Sequence, residues 1–187
     1  MKVLFLDTEF TGLQQNTSLI SIGIVAESGE EFYAELNDYD RSQLSPWLKE
    51  NVIKKLFLKE SNEQILENLN QFHIKGNCLE IANALINWFN QFEQIRDEKG
   101  RIIPNLQIWG DVPHWDWVLF CQLFGGAFGI PPNIHYMCMD LATYIQAKGL
   151  DIEMSRFEYV GFAVDNQHNA LADAKAELAC YLKLKTL

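Results

Sequence analysis

The sequence predicts an α/β domain with a mixed central β-sheet of about five strands flanked by helices. Three observations carry that prediction. Three strand-like runs lie before residue 37, and a tight turn joins the second to the third, so the first half of the sheet is antiparallel. Helix-periodic segments dominate from residue 46 onward. From residue 105 the order becomes strand, helix, strand, helix, helix, which suits a sheet covered by helices. A length of 187 residues fits one domain, 1–187, with a sizeable core.

Residues 3–6 (Val-Leu-Phe-Leu) form a continuous apolar run, the pattern of a buried strand. The run ends in Asp7 and Glu9, and Gly12 then gives the backbone a turn. Residues 19–27 (Leu-Ile-Ser-Ile-Gly-Ile-Val-Ala-Glu) read as a second strand, Ser28 and Gly29 as a hairpin turn, and residues 31–36 as a third strand. After a polar loop, Ser45 is placed to cap a helix that has Pro46 at its first position. Residues 61–72 read as a short helix. Cys78, Ala82, Leu85, Phe89 and Phe92 recur at helical spacing, and Gly100 and Pro104 close that amphipathic segment. Residues 105–109 read as a strand and 116–124 as a helix ended by Gly125 and Gly126. A fifth strand is predicted over 134–139, followed by a helix capped by Asp140 and running to about Lys148. Residues 150–167 read as irregular. Asn169 is the predicted cap of a last helix from Ala170 to about Lys185. There is no internal repeat, low-complexity tract or linker.

Composition excludes several classes. Apolar residues make up 48% and charged residues 21%, a globular balance. No stretch is long enough and free enough of charge to span a bilayer; the most apolar one, 117–130, is short and broken by Gly125 and Gly126. The start of the chain runs straight into the first strand without the marks of a secretory leader, which points to the cytoplasm. Cys78, Cys121, Cys138 and Cys180 lie far apart with no CxxC spacing, so they argue against a zinc ribbon and fit buried, reduced thiols. The sequon at Asn16 is read as chance in a chain with no secretory signal. No GxGxxG or GxxxxGK phosphate loop is present, which leaves a nucleotide-binding regulator without support.

Acidic residues carry the chemistry. Asp7 and Glu9, at i and i+2, point to the same side of an extended chain. Two carboxylates at the end of a buried strand are costly unless something neutralises them, and a divalent cation does so directly. A second acidic stretch, Asp111-Val-Pro-His-Trp-Asp116, offers two further candidates. Asp111 directly follows a strand and Asp116 opens a helix, and spacing alone does not choose between them. His168 precedes the last helix, and Asp173 lies in its first turn. With His168 in the loop, both side chains can face one cavity. Glu177, four residues after Asp173 and on the same face, either supports the site from behind or pairs with Lys175 or Lys183 on the surface, and the surface or packing reading is favoured.

Taken in order, Asp7-Thr-Glu9, Asp116 within Asp111-x-x-x-Trp115-Asp116, and His168-x-x-x-x-Asp173 resemble the three exonuclease motifs of the DEDDh family. That family includes the proofreading subunits of bacterial replicative polymerases, ribonuclease T and oligoribonuclease. The Glu-Phe after Asp7-Thr8, the Leu-Ile-Ser-Ile-Gly strand and the Trp-Asp-Trp-Val-Leu-Phe-Cys-Gln-Leu-Phe-Gly segment around Asp116 are most similar to the small bacterial 3′-5′ exoribonucleases.

The resemblance implies a ribonuclease-H-like fold. It implies two divalent cations, Mg²⁺ or Mn²⁺, held by Asp7, Glu9, Asp116 and Asp173, with His168 as general base. It implies release of 5′ nucleoside monophosphates from the 3′ end of single-stranded or short RNA. It also implies contacts from Thr8, Phe10, Gly12 and Leu13 to the terminal nucleotide, Leu13 wedging beside the last base, and pairing into a homodimer. Asp111 departs from the family pattern, which has Asn at that place; it either orients the site or alters metal affinity. A DNA exonuclease on the same chemistry, or an inactive nucleic-acid-binding module, are the alternatives. The formal net charge of −10 opposes grip on long polyanions, whereas cations on four of the carboxylates leave the site itself near neutral. Recognition of an end, rather than of a tract, follows from that balance.

Overall fold

A computed structural model describes residues 1–58, 65–68 and 70–187. In chain order the elements are β1 (Lys2–Phe10), β2 (Leu19–Ala26), β3 (Glu31–Leu36), α1 (Pro46–Asn51), β4 (Ile65–Asn68), β5 (Gln71–Gly76) and α2 (Cys78–Phe89). There follow β6 (Ile95–Arg96), β7 (Ile102–Ile103), β8 (Leu106–Gly110), α3 (His114–Leu123), β9 (Met139–Asp140), α4 (Leu141–Ala147), α5 (Arg156–Val160) and α6 (Ala170–Leu184). Among the described residues, no helix is long and apolar enough to cross a membrane.

Seven strands form one mixed sheet in the order β4-β5-β3-β2-β1-β8-β9, and β6 and β7 make a separate hairpin. β1, β2 and β3 are antiparallel neighbours, whereas β8 lies parallel to β1 and β5 parallel to β3. The pleat of β1 sorts its side chains between two faces. Leu4 and Leu6 join Ile22, Ile24, Phe32 and Ala34 in a core closed by Ile81, Leu85, Trp88 and Phe89 of α2 and by Leu119 and Phe120 of α3. Phe5 faces the other way, onto Leu141 and Ile145 of α4 and Cys180 and Leu184 of α6. Asp7 and Glu9 continue the Phe5 side, so the alternation that builds the core also aims both carboxylates at the face covered by α6.

A single glycine sets how closely that helix approaches. Gly23 of β2 pairs with Asp7, and a Cβ there would lie 2.4 Å from the backbone carbonyl of Ala170. The first turn of α6 therefore sits directly on the sheet beside Asp7. Asn169 caps that turn, its side chain accepting from the Ala172 amide at 3.2 Å. The predicted start of α1 also holds, with Ser45 Oγ accepting from the Leu48 amide at 3.1 Å and Pro46 in the first position.

Four expectations need correction. The predicted helix over 61–72 is not one: Ile65–Asn68 and Gln71–Gly76 are strands, while 61–64 lie outside the described residues. Pairing with β3 overrides local preference here, and Phe72 stacks on Phe32 at 5.4 Å. The predicted strand over 134–139 shrinks to β9 and one isolated bridge from Ile134 to Leu106, because the Gln107 side chain donates to the Met137 carbonyl and interrupts the ladder. The irregular 150–167 stretch contains α5, capped by Ser155 and ended by Gly161 in the left-handed region. Finally, Cys121 and Cys180 are buried as expected, but Cys78 is exposed.

Candidate active site

β1 is longer than its apolar run, so Asp7 and Glu9 sit within it rather than beyond its end. Its partner changes register between Glu9 and Phe10, at the point where the strand leaves the sheet. Asp173, in the first turn of α6, is brought over them. Oxygens of Asp7, Glu9 and Asp173 all lie within 4.8 Å of one another. Asp173 is itself fixed by the Asn169 amide, which donates to Oδ2 at 3.0 Å.

Asp116 reaches the same place from α3. One of its oxygens accepts twice from Thr8, from the amide at 3.0 Å and from the hydroxyl at 2.6 Å. Thr8 thus ties Asp116 of the second acidic stretch to the first.

Burial raises the proton affinity of the whole group, and neighbouring like charges add to it for Asp7 and Glu9. Burial, followed by Asp173, Asp116, Glu177 and Glu9, holds the Asp7 carboxyl well above the usual range. Glu9 is pushed up to about 8 by burial and then by Asp173 and Asp116. Asp173 is pushed up to about 7 by burial, against the Asn169 and His168 amides and Lys55. Asp116 is raised by burial and held down by its Thr8 hydrogen bonds. Such a set resists full ionisation at neutral pH unless a cation joins it. The donors are all hard oxygens, which suit Mg²⁺ or Mn²⁺.

His168 sits in the loop before α6 in the left-handed region, with φ of 64°. Its ring meets the edge of Trp47 with centroids 5.0 Å apart. Burial and then Lys55 lower its pKa, which favours the neutral, proton-accepting imidazole. A cleft of about 950 Å³ joins these groups: Asp7, Glu9, Asp116, Asp173 and His168 all line it, as do Thr8, Phe10, Gly12 and Leu13. Leu13 stands at the rim, 75% exposed, whereas Phe10 is partly buried against the main core.

Asp111 also lines the cleft, but it is occupied by a partner. Arg156 donates to its Oδ1 at 2.8 Å and to the carbonyls of Ile152 and Met154 at 2.6 and 2.5 Å. Arg156 was invisible as a site residue in the sequence, since it belongs to a stretch without periodicity. The surface pairing read for Glu177 is overturned. Glu177 is 4% exposed, lines the cleft and leaves Oε2 without a hydrogen-bond partner. Lys175 pairs with Glu31 at 2.8 Å instead, and Lys183 donates to the Tyr159 carbonyl. The signal was present: Glu177 follows Asp173 by one turn, and the neighbouring Ala174 and Ala176 mark the face of α6 pressed to the sheet.

A ribonuclease-H-like sheet bearing an acidic cluster between its central strand and a covering helix defines a domain of the exonuclease class. Within that class, the chain belongs to the 3′-5′ exoribonuclease Rv2179c-like domain family, whose model matches residues 2–184. It is 28% identical over 179 residues to the 3′-5′ exoribonuclease Rv2179c of Mycobacterium tuberculosis, covering 93% of this chain and 88% of that protein. Among solved structures it resembles E. coli exonuclease I in complex with a dT13 oligonucleotide, with a TM-score of 0.60 and 17% identity over 99% of this chain. It also resembles the Saccharomyces cerevisiae Pan2 pseudoubiquitin hydrolase-RNA exonuclease module in complex with AAGGA RNA, with a TM-score of 0.52 and 15% identity over 100% of this chain. The chain spans 41% of the exonuclease I chain and 29% of the Pan2 chain, and at these identities the likeness is one of fold.

Proposed function

We propose that this protein is a metal-dependent 3′-5′ exoribonuclease that removes 5′ nucleoside monophosphates from single-stranded or short RNA. The convergence of Asp7, Glu9 and Asp173 oxygens within 4.8 Å carries this reading. Asp7, Glu9, Asp116 and Asp173 would hold two divalent cations, Mg²⁺ or Mn²⁺. When bound, such cations make water a ready nucleophile and stabilise charge on a leaving oxygen. His168 accepts the proton of the attacking water, a role worth about 10²–10⁴-fold in rate. Thr8 keeps one Asp116 oxygen engaged, which leaves the other for the site. Phe10 and Leu13 flank the terminal base and Gly12 lets the backbone approach it.

The acidic character outside the cleft supports trimming of ends over sliding along a strand. RNA is assigned by analogy with the mycobacterial 3′-5′ exoribonuclease.

The deciding experiment follows 5′-labelled single-stranded RNA and its DNA counterpart with Mg²⁺, with Mn²⁺ and with chelator. A metal-dependent ladder shrinking from the 3′ end of RNA, and weaker on DNA, supports the proposal. A DNA preference keeps the site and changes the substrate. Folded, metal-supplied protein that cuts neither overturns the enzymatic reading.

A further inference from the structure

Residues 45–58 bracket the loop that carries His168. At one end Trp47 of α1 meets the His168 ring edge-on. At the other, the Lys55 ammonium donates to the Asp165 carbonyl at 3.0 Å and to the Gln167 carbonyl. The link runs both ways, since Asn169 Nδ2 donates to the Lys55 carbonyl at 3.4 Å. Lys55 therefore binds the chain on both sides of His168, the one non-glycine residue of that loop held at positive φ. A β-carbon residue in that region is strained and persists only where neighbours hold it.

The bracket is anchored in its turn. Leu48 and Val52 pack on Ile20 of β2. Beyond Lys55, the fully buried Glu35 of β3 accepts from the Phe57 and Leu58 amides at 2.7 and 3.0 Å. Lys75 of β5 pairs with Glu35 at 3.4 Å and donates to the Leu58 carbonyl at 3.2 Å. Lys55 thus projects from a segment tied to the sheet before and after it, so its reach to the His168 loop is set by the sheet that also carries Asp7 and Glu9.

We propose that Lys55 is a positioning residue for His168, clamping the loop so that the imidazole faces the carboxylate cluster. The proposal rests on the reading of His168 as general base. Among the described residues, Lys55 is not part of the cleft lining and its ammonium bonds to main-chain carbonyls, which separates it from a phosphate-binding cation. Misplacement of a catalytic group by about 1 Å costs up to roughly a hundredfold in rate.

The test is a double-mutant cycle on 5′-labelled RNA with Mg²⁺, using wild type, Lys55→Met, His168→Ala and the double variant, with Lys55→Arg alongside. Lys55→Met is expected to lower kcat by about tenfold to a hundredfold with KM for RNA unchanged. In the His168→Ala background it should do nothing more, and Lys55→Arg should restore part of the loss. Hydrogen exchange should quicken at amides 165–169 in Lys55→Met and stay constant along the second half of α6. An equal loss in both backgrounds, or a rise in KM alone, overturns the proposal, because Lys55 would then act through its charge on the carboxylates or on substrate rather than through His168. Unchanged exchange at 165–169 overturns it too, and Lys55→Arg supplies the same readings if Lys55→Met does not fold. Wild-type turnover by His168→Ala alone removes the base reading instead, a result distinct from any outcome for the clamp.

Discussion

Thr8 gives both its amide and its hydroxyl to a single oxygen of Asp116, at 3.0 and 2.6 Å. On the proposed site, this leaves the other Asp116 oxygen for a cation. Thr8→Val keeps the shape and the amide bond and removes the hydroxyl. A hydrogen bond to a charged group contributes about 1.5–3 kcal/mol, so turnover should fall on the order of tenfold to a hundredfold. The Mg²⁺ concentration for half-maximal rate should rise with it. Steady-state assays over a Mg²⁺ series check this, and an unchanged half-saturation would show that Thr8 does not orient the ligand.

The raised carboxylates set a pH dependence for the metal-free protein. Glu9 titrates at about 8 in the fold against an ordinary 4.5, and Asp173 at about 7 against 3.8. The folded state holds more protons than the unfolded one across those windows, so stability falls as pH rises from about 4 to 8. In chelator, the melting temperature should be lower at pH 8 than at pH 5.5, and Mg²⁺ should flatten the slope. Thermal melts with and without EDTA read both.

Removing one like charge should show the same strain from the other side. Asp7→Asn and Asp173→Asn are expected to abolish turnover while raising the melting temperature at pH 8 in chelator. Glu177→Gln should raise it as well, since burial and the charges of Asp111, Asp116 and Asp173 all oppose ionisation of Glu177. Melting below wild type in all three variants would discard the crowded-charge account.

Gly23→Ala tests how the halves of the site are brought together. The new methyl would press on the Ala170 carbonyl at 2.4 Å, against backbone that cannot rotate away. Overpacking of this kind costs about 1–3 kcal/mol. Denaturant unfolding should register it, and Mg²⁺ affinity should drop because the start of α6 carries Asp173. Full stability with normal metal binding would mean that α6 shifts without consequence.

Asp116→Ala should cost far more activity than Asp111→Ala. The cost of Asp111→Ala should fall mainly on stability, because Arg156 loses its carboxylate partner. With side-chain exposures of 13% for Arg156 and 25% for Asp111, that loss is on the order of 1–2 kcal/mol, below that of a fully buried pair. Parallel unfolding and kinetic measurements separate the two effects, and the reverse activity order would move the site toward Asp111.

The candidate site was legible in the sequence partly from local periodicity and partly from the resemblance to the exonuclease motifs, which brought in Asp116. Asp7 and Glu9 share a strand face, and His168 and Asp173 follow from the cap at Asn169. Lys55 and Arg156 were not legible, because Lys55 reaches the His168 loop through main-chain carbonyls far along the chain and Arg156 reaches Asp111 across a similar gap in sequence. Glu177 was misassigned because two lysines on its own helix offered a local pairing, whereas the sheet beneath decides which face of α6 is buried. The same competition misled the helix reading of 61–72, whose end belongs to β5, where only pairing with β3 settles the matter.

Asp7 and Glu9 belong to the first strand, Asp116 to a helix in the middle, and His168 and Asp173 to the last turn and helix, which docks on β1 and β2. Chains emerge from the ribosome from the N-terminus onward, and contacts between distant segments form late. On the proposed site, a nascent chain that has emerged only as far as α3 has its first acidic residues in place and neither its base nor its last carboxylate. On that reading the carboxylate cluster is complete only once α6 docks on β1 and β2.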